Sequence, residues 1–281
     1  MSGPPPSVSE RSPLPLDPGD LPALGPGFDT TVDEGLEALG VSLTPGARAA
    51  IDAQARLLMA WNAAINLTAL RTPEAIARLH VVDSLSALPL LRDAANERGE
   101  AGGALLDLGS GGGYPGLPLA VALPFRRAAL VDSIGKKARF LEAAGDAAAA
   151  VMREANETPP HVEAIAARAE ELARDPNHRE AWDVVTARAV GSLAEVVELA
   201  LPLLRLGGQL LCWKRDDGRD TLQAELDAAF PIAGALGGSA PRVTRVAAPD
   251  ASHRLVQVFK ERRTPPRFPR TPAERRRALL G

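Results

Sequence analysis

The stretch LLDLGSGGGYPGLPLA, from Leu105 to Ala120, decides the fold of this 281-residue chain. Its first four residues are apolar apart from Asp107, and such a short run predicts a buried strand. Glycines follow at once, and glycine lets a backbone turn sharply and approach a ligand closely. The stretch therefore predicts a strand that ends in a loop able to cradle a nucleotide cofactor.

Two kinds of cofactor fit this loop. The register Asp107-x-Gly109-x-Gly111-x-Gly113 is that of the S-adenosylmethionine (SAM) loop in Rossmann-like methyltransferases. The glycines, counted from Gly111, also satisfy the dinucleotide pattern G-x-G-x-x-G, with Asp132 about twenty residues further on to hold a ribose. This second register leaves Asp107 and Gly109 without a role. We therefore favour SAM and keep NAD as the alternative.

Composition and patterning divide the chain into four parts. They are a disordered, proline-rich leader (1–27), an N-terminal helical segment (28–100), a SAM-dependent methyltransferase domain (101–262) and a basic C-terminal tail (263–281). The leader holds eight of the 25 prolines, and such a composition buries too little apolar surface to fold.

From residue 104 onward, strand patterns alternate with helical ones. Strands are expected at 104–108, 127–131, 161–166, 182–187 and 208–213, with an antiparallel hairpin at 242–247 and 254–260. Alternation of this kind predicts an α/β fold with a mainly parallel, seven-stranded, doubly wound sheet and helices on both faces. Ligands of such folds lie over the carboxyl ends of the strands.

Charge is unevenly distributed along the chain. The net charge is −3, yet the chain from Arg254 to its end carries nine Arg or Lys against two Glu. This basic end favours a polyanionic partner such as RNA or DNA, and a tail that only aids solubility is the alternative. Cys212 is the only cysteine, which excludes an intrachain disulfide and favours the cytoplasm. The four histidines are too dispersed to suggest a metal site, and no apolar run is long enough to span a membrane.

Polar residues follow several of the predicted strands. Asp132 ends the second strand, where a carboxylate can accept both ribose hydroxyls of a cofactor or cap the next helix. Ala169 and Glu170 follow the third strand, where they can meet the adenine edge or form a charged first helical turn. Arg188 and Lys214 end the next two strands and are candidates for orienting donor and acceptor, with surface ion pairs as the alternative.

A series of short blocks follows from about Leu57 to Arg270. The blocks are Trp61-Asn62 with Asn66-Leu67-Thr68, His80-Val81-Val82-Asp83-Ser84-Leu85, the glycine run with Pro115-Gly116-Leu117-Pro118, Asp132-Ser133 with Lys136-Lys137, Arg168-Ala169-Glu170-Glu171, Ala187-Arg188-Ala189, Trp213-Lys214, and Thr264-Pro265 with Phe268-Pro269-Arg270. In this order and at this spacing they resemble the 16S ribosomal RNA guanine-N7 methyltransferases, also called glucose-inhibited division protein B.

The resemblance implies a fold, a cofactor and a reaction. A class I SAM-dependent methyltransferase of this family methylates N7 of one guanine in a loop of the small-subunit decoding region. The positions that match cofactor contacts of the family, with Arg188 reaching the methionine end, are Gly109, Tyr114, Asp132, Ser133, Ala169, Glu170 and Arg188. Tyr114 departs from the family, in which a smaller apolar residue or Phe is common.

The implied chemistry needs no catalytic acid or base, and we assign none. Guanine N7 carries a lone pair and no proton at neutral pH, so it can attack the sulfonium methyl directly, and catalysis is mostly positioning. We expect the partner to be 16S rRNA, the small subunit or its assembly intermediate, and the enzyme to be a cytoplasmic monomer without a membrane contact. An NAD-dependent dehydrogenase and a non-catalytic, SAM-binding assembly factor are the rival interpretations.

Overall fold

A seven-stranded sheet forms the centre of the protein, in a computed structural model that describes residues 14–92, 103–246 and 252–278. Its strands are β1 (Ala104–Leu108), β2 (Arg127–Val131), β3 (His161–Ile165), β4 (Trp182–Arg188), β5 (Leu204–Arg215), β6 (Arg242–Thr244) and β7 (His253–Phe259). They lie in the order β3-β2-β1-β4-β5-β7-β6. The first five in this order are parallel, whereas β7 and β6 form an antiparallel edge. The predicted α/β fold is confirmed.

The chain changes direction across the sheet between β1 and β4. It moves outward from β1 to β3, then returns to place β4 on the other side of β1. Strands β2 and β4 both pair with β1 in parallel register, so that the carboxyl ends of the three strands lie side by side. The crevice outside such a switch point is where doubly wound sheets bind their ligands.

Helices cover both faces of the sheet. They include α1 (Pro26–Leu39), α2 (Pro45–Ile65), α3 (Pro73–Ile76), α4 (Asp83–Leu85), α5 (Gly116–Ala122), α6 (Gly135–Glu154), α7 (Ala169–Leu172), α8 (Leu193–Ala200), α9 (Thr221–Ala235) and α10 (Pro272–Ala278). A π-helical turn, Ala77–Val82, joins α3 to α4. None of the described helices combines the length and apolar character needed to cross a membrane.

Two apolar cores lie on the two faces. On one face the N-terminal helices pack against α5 and α6, and the ring of Trp61 meets that of Phe140 edge-on at 5.5 Å. On the other face α8 and α9 pack around Trp182 of β4. Because both faces are covered, the central strands β1 and β2 are buried along almost their whole length rather than at alternate residues. The N-terminal helical segment is therefore part of the same folded body as the sheet.

The predicted disordered leader is ordered from residue 14 onward. Trp61 Nε1 donates a hydrogen bond to the Pro15 carbonyl oxygen at 2.7 Å, and Pro18–Asp20 forms a 3-10 turn. The apolar side chains of this part pack against the core: Leu14, Leu21 and Leu24. The high proline content led to the prediction of disorder, although these leucines can be buried. The remainder of the predicted leader, 1–13, lies outside the described residues.

Two strands, β5 and β6, differ from their predicted bounds by more than one residue, whereas β3, β4 and β7 differ by one. β5 begins at Leu204, before the predicted 208–213, because an irregularity between Trp182 and Val184 lets β4 pair with the earlier residues. The apolar pattern of this strand is interrupted at Gly207, which has a φ of +77°. The residues before Gly207 were therefore not predicted as part of the strand. The strand predicted at 242–247 ends at Thr244, and residue 247 lies outside the described residues.

The predicted basic tail packs against the domain through Arg270 and Arg275. Arg270 donates to both carboxylate oxygens of Glu198, a buried residue of α8. Arg179 donates to the carbonyl oxygens of Pro265 and Phe268. A buried carboxylate needs a charged partner, and the tail supplies it. Part of the positive charge of the tail is therefore used within the protein.

Candidate active site

A pocket of about 560 Å³ lies at the carboxyl ends of β1, β4 and β5. This is the crevice in which the sequence predicts a cofactor. Five of the predicted site residues line it: Gly109, Gly111, Tyr114, Arg188 and Lys214. Other lining residues come from the N-terminal helical segment and from the antiparallel edge, among them His80, Asp83 and His253. The pocket thus joins three parts of the chain that are distant in sequence.

Asp107 lies beneath the glycine loop rather than in the pocket. It is fully buried and accepts hydrogen bonds from Ser110 Oγ (2.7 Å), Gly116 N (3.1 Å) and Thr186 Oγ1 (2.7 Å). Burial raises the pKa of Asp107 to about 6, although these three donors act in the opposite direction. Asp107 therefore fixes the loop to the neighbouring strand β4 and to the start of α5.

The loop needs glycine at the positions that the sequence indicates. Gly109, Gly111 and Gly113 have φ of +69°, +55° and +83°, in the left-handed region that favours glycine. A Cβ on Gly109 would lie 2.8 Å from Val190 Cγ2, and one on Gly113 would lie 2.6 Å from Gln54 Nε2. The backbone here passes closer to its neighbours than a side chain would allow, as a cofactor cradle requires.

Arg188, at the end of β4, is held by the N-terminal helical segment. Its Nη1 donates to the Leu79 carbonyl oxygen and to Asp83 Oδ2, both at 3.0 Å, and its Nη2 to His80 Nδ1 at 2.9 Å. The π-helical turn Ala77–Val82 carries two of these partners, and such turns are rare and frequently mark functional sites. Three anchoring points fix the guanidinium in one orientation beside the pocket.

His80 is neutral, and its neighbours define its tautomer. An arginine only donates, so Nδ1 of His80 accepts and Nε2 carries the proton. That proton is shared with Thr68 Oγ1 at 2.7 Å. Burial, and then the charge of Arg188, lower the pKa of His80 to about 3. With both nitrogens engaged, His80 has no lone pair to offer to a substrate.

Asp83 ties two further strands to this arrangement. Its Oδ1 lies 2.6 Å from His253 Nδ1 of β7, and its carbonyl oxygen accepts from Trp213 Nε1 of β5 at 2.9 Å. His80 and Asp83 lie in one of the blocks that carry the family resemblance, where the sequence indicated no role for them. The available signal was their spacing, because residues three apart lie on one face of a helix.

Lys214 braces the turn that follows β4. Its Nζ donates to the Gly191 carbonyl oxygen at 2.8 Å and to Glu225 Oε2 at 2.5 Å. The same carboxylate oxygen accepts the Leu193 N–H at 2.6 Å. The turn holds Ala189 at φ of +58°, a strained conformation for a residue with a Cβ. Lys214 thus lines the pocket while holding the adjacent turn in place.

Asp132, after β2, faces the glycine loop from the side. Its Oδ2 accepts from Gly111 N at 3.2 Å, and its Oδ1 accepts from Ile134 N at 2.9 Å. Lys137 Nζ lies 3.7 Å from Oδ2. The carboxylate therefore stabilises the turn before α6 without capping the helix, whose N-cap is Ile134, and its contact with a ribose stays a prediction.

Glu170, at the start of α7, is engaged by the C-terminal tail. Its carboxylate pairs with Arg275 of α10, and each side chain is 10% exposed. Burial alone would raise the pKa of Glu170, but the pairing with Arg275 outweighs burial and leaves this pKa below its usual value. The predicted residues that lie outside the pocket lining are Asp107, Gly113, Asp132, Ser133, Ala169 and Glu170. The predicted adenine contact of Ala169 and Glu170 stays a prediction.

The charge of the pocket fits the methionine end of SAM. The lining carries four cations, which suit a carboxylate: Lys137, Arg188, Lys214 and Arg215. The strand order, the glycine loop after β1 and the acidic residue after β2 together define a class I SAM-dependent methyltransferase.

Comparison with known proteins gives the family within this class. The sequence model of the GidB family, described as rRNA small subunit methyltransferase G, matches residues 48–233. The chain belongs to this family, which confirms the resemblance found in the sequence and removes the NAD alternative.

Individual relatives agree with the family match over most of the chain. The ribosomal RNA small subunit methyltransferase G of Roseiflexus sp. (strain RS-1) is 41% identical over 76% of this chain and 83% of its own length. The protein of the same name from Symbiobacterium thermophilum is 35% identical over 85% of this chain and 92% of its own length. A third, from Rubrobacter xylanophilus, is 35% identical over 85% and 87%.

Proposed function

We propose that this protein transfers a methyl group from SAM to N7 of a guanine in 16S rRNA of the small ribosomal subunit. Family membership supports the substrate class and the donor. The choice of N7 as the acceptor atom is supported by the hydrogen bonds that the side chains of the pocket make. The two groups best placed to move a proton, His80 and Asp83, are both held by Arg188. An acceptor atom that carries no proton suits such a pocket.

The reaction at N7 asks the protein for positioning rather than for proton transfer. When bound, SAM supplies an electrophilic methyl group on its sulfonium sulfur. The glycine loop would hold the cofactor, and the anchored Arg188 would orient its methionine end beside the turn braced by Lys214. Holding two reactants in line can supply about 7–11 kcal/mol of the barrier at best. A fixed guanidinium is well suited to this task, because no side-chain movement is needed when the reactants bind.

The surroundings of the pocket suit an RNA substrate. Lys137 and Arg215 line the pocket, and Lys136 is exposed next to it on the first turn of α6. Lysine and arginine bind phosphate groups and release counterions from the nucleic acid. The target guanine must leave its stack to present N7, and a loop nucleotide does so at the lowest cost.

We take the acceptor to be the RNA within the small subunit or an assembly intermediate, and the active form to be a cytoplasmic monomer. A ribosomal substrate supports the location, since ribosomal subunits assemble in the cytoplasm of bacteria.

The direct test is transfer of labelled methyl from SAM to small-subunit particles and to naked 16S rRNA, followed by chain cleavage specific for N7-methylguanine. We expect label at a single guanine. Label at another atom or on another RNA would contradict the proposal. Tight SAM binding without transfer to either substrate would favour the non-catalytic assembly factor.

A matched pair of variants links the activity to the pocket. The double variant Asp83→Asn with Arg188→Gln replaces the buried ion pair by two amides, and we expect it to lose transfer. Arg219→Ala removes an exposed arginine outside the pocket and should keep full transfer. Thermal unfolding of both variants checks that each is folded. Full transfer by the folded double variant would remove Arg188 from the mechanism.

A further inference from the structure

Gln54 is a buried polar side chain of α2 whose role the fold alone does not explain. It is 0% exposed and lies among apolar residues of the same helix such as Ile51 and Leu58. Its Nε2 donates a hydrogen bond to the Gly112 carbonyl oxygen at 2.9 Å, whereas its Oε1 is buried without a hydrogen-bond partner among the described residues. Burial of an unpaired oxygen costs stability, so an amide at this position calls for a reason other than the stability of the fold.

The glycine loop rests on this part of α2. A Cβ on Gly112 would lie 2.8 Å from Leu58 Cδ1, and one on Gly113 would lie 2.6 Å from Gln54 Nε2. Residues four apart, as Gln54 and Leu58 are, lie on the same face of a helix. Neither of these two side chains lines the pocket. This face of the N-terminal helical segment therefore supports the loop from below, outside the space in which a ligand would lie.

One peptide unit of the loop, between Gly112 and Gly113, is held at both of its ends. Its carbonyl oxygen accepts from Gln54, and its N–H donates to the Ser110 carbonyl oxygen at 2.7 Å. Gly111 and Gly112, directly before this unit, line the pocket. Glycines adopt many backbone conformations, so a loop built of them needs outside contacts to stay in one. Gln54 supplies such a contact from a helix 58 residues away in the sequence.

We propose that Gln54 is a positioning residue for SAM, which holds the peptide unit between Gly112 and Gly113 in the orientation that binds the cofactor and does not itself touch it. This inference rests on the proposed function, since it takes SAM as the ligand of the pocket. A loop that already has its bound conformation pays no ordering cost when the ligand arrives. When only a fraction of the molecules has that conformation, the apparent Kd rises in inverse proportion to the fraction. The N-terminal helical segment is thereby part of the cofactor site.

The variant Gln54→Met removes the donor and keeps an unbranched side chain of similar length. We expect the Kd for SAM to rise about tenfold, because the Gly112 carbonyl loses its partner and the loop leaves its binding conformation most of the time. The association rate constant should fall by the same factor. The dissociation rate constant should stay within about twofold, because the ligand leaves the same bound conformation. Stopped-flow binding and calorimetric titration measure these quantities.

Stability and turnover separate positioning from a merely structural role. The Tm of free Gln54→Met should differ from that of the wild type by less than about 2 °C, because the substitution also removes the unpaired Oε1. In methyl transfer to small-subunit particles, its KM for SAM should rise about tenfold, with kcat unchanged at saturating SAM. Loss of a structural residue would instead lower Tm and the active fraction, and would leave this KM as it is.

Trp61→Phe is the matched control on the same helix. It also removes a buried side-chain hydrogen bond to a backbone carbonyl oxygen, that of Pro15, and Trp61 does not line the pocket. We expect its Tm to fall and its Kd for SAM to equal that of the wild type. An equal rise of Kd in both variants would mean that any loosening of α2 weakens SAM binding, and would overturn the specific role of Gln54.

Hydrogen exchange in the wild-type protein tests the same contact from the other side. Coupling between two events is reciprocal, so SAM should in turn strengthen the hydrogen bond from Gln54 and slow the exchange of its side-chain amide protons. The chain has four glutamines, and the amide signal that is missing in Gln54→Met identifies this one. Unchanged exchange, or equal SAM affinity in Gln54→Met and wild type, would overturn the proposal. Failure of the wild-type protein to bind SAM would overturn the proposed function itself, and this inference with it.

Discussion

The two halves of the crevice are built in different ways. In the first half, over β1, β4 and β5 and called the β4 half below, the functional side chains are fixed by buried partners from distant parts of the chain, as Arg188 is by Asp83. In the second half, over β2 and β3 and called the β3 half below, the functional side chains are fixed by nearby backbone groups, as Asp132 is, or by the C-terminal tail, as Glu170 is by Arg275. The first half therefore depends on linked, buried ion pairs, and the second on local turns and one ion pair with the tail.

This difference teaches where the stability and the chemistry of the protein are coupled. In the β4 half, the residues that face the pocket also hold the N-terminal helical segment on the sheet. A substitution there should damage fold and function together. In the β3 half, the same kind of substitution should cost less, because fewer charges are left buried and unpaired.

The largest effect is expected for Asp83→Asn. The carboxylate is 1% exposed and pairs with Arg188 and His253, so its loss leaves a buried guanidinium without its counter-charge. We expect the free energy of unfolding to fall by about 3–5 kcal/mol. Urea unfolding measures this change.

Asp29→Asn is the control for this variant. Asp29 also pairs with an arginine, Arg48, but its side chain is 63% exposed. The change there should be about 1 kcal/mol or less, as for surface ion pairs in general. Similar losses in the two variants would contradict the claim that the β4 half depends on buried charge.

The second prediction concerns pH and the carboxyl group of Asp107. Its pKa is about 6 in the folded protein against 3.8 for an ordinary aspartate, so the folded state binds the proton more tightly. The stabilisation from this proton is fully present below about pH 4 and is lost as pH rises through 6. The loss amounts to about 3 kcal/mol between these limits.

Comparison with Asp107→Asn isolates this group. The difference in unfolding free energy, wild type minus variant, should fall as pH rises from 4 to 6 and then level off. The variant should also be less stable at pH 5, because an amide cannot accept from Ser110, Thr186 and Gly116 at once. A difference that rises with pH would mean that the donors outweigh burial and that the pKa is lowered.

The smallest effect is expected in the β3 half, for Arg275→Gln. It removes the partner of Glu170, and we expect a loss of about 1–3 kcal/mol in the free energy of unfolding, because a single carboxylate is left without its partner. Arg277→Gln, on the same helix and exposed, should change stability by less than about 0.5 kcal/mol. Equal effects of the two variants would mean that the pairing of Arg275 with Glu170 does not stabilise the fold and that the tail adds only positive charge to the protein.

The strand β1, its glycine loop and the order of the strands could be predicted from the sequence. The strand β1 and its glycines are adjacent in sequence, and the positive φ angles of Gly109, Gly111 and Gly113 are what a tight loop demands of that residue type. The order of strands follows from their alternation with helices. Both features depend on neighbours along the chain, which a sequence displays directly.

The contacts that fix the functional side chains were not predictable in the same way. Arg188 lies 105 residues from Asp83, and Arg275 lies 105 residues from Glu170. Which arginine meets which carboxylate depends on how whole helices pack on the sheet, and composition gives only a net charge. For the same reason the C-terminal basic residues were read as a tail for a polyanion, although Arg270 and Arg275 bind carboxylates of the domain.

The central claim is that the pocket delivers a methyl group to guanine N7, and one comparison tests it most directly. Small subunits are reconstituted on two 16S transcripts, one with guanine and one with 7-deazaguanine, which has a carbon in place of N7 and keeps the Watson–Crick edge. Equal sedimentation of the two particles is the control for assembly. Labelled methyl from SAM should enter the guanine particle alone. Equal label in both particles would show that the protein methylates another atom and would contradict the account.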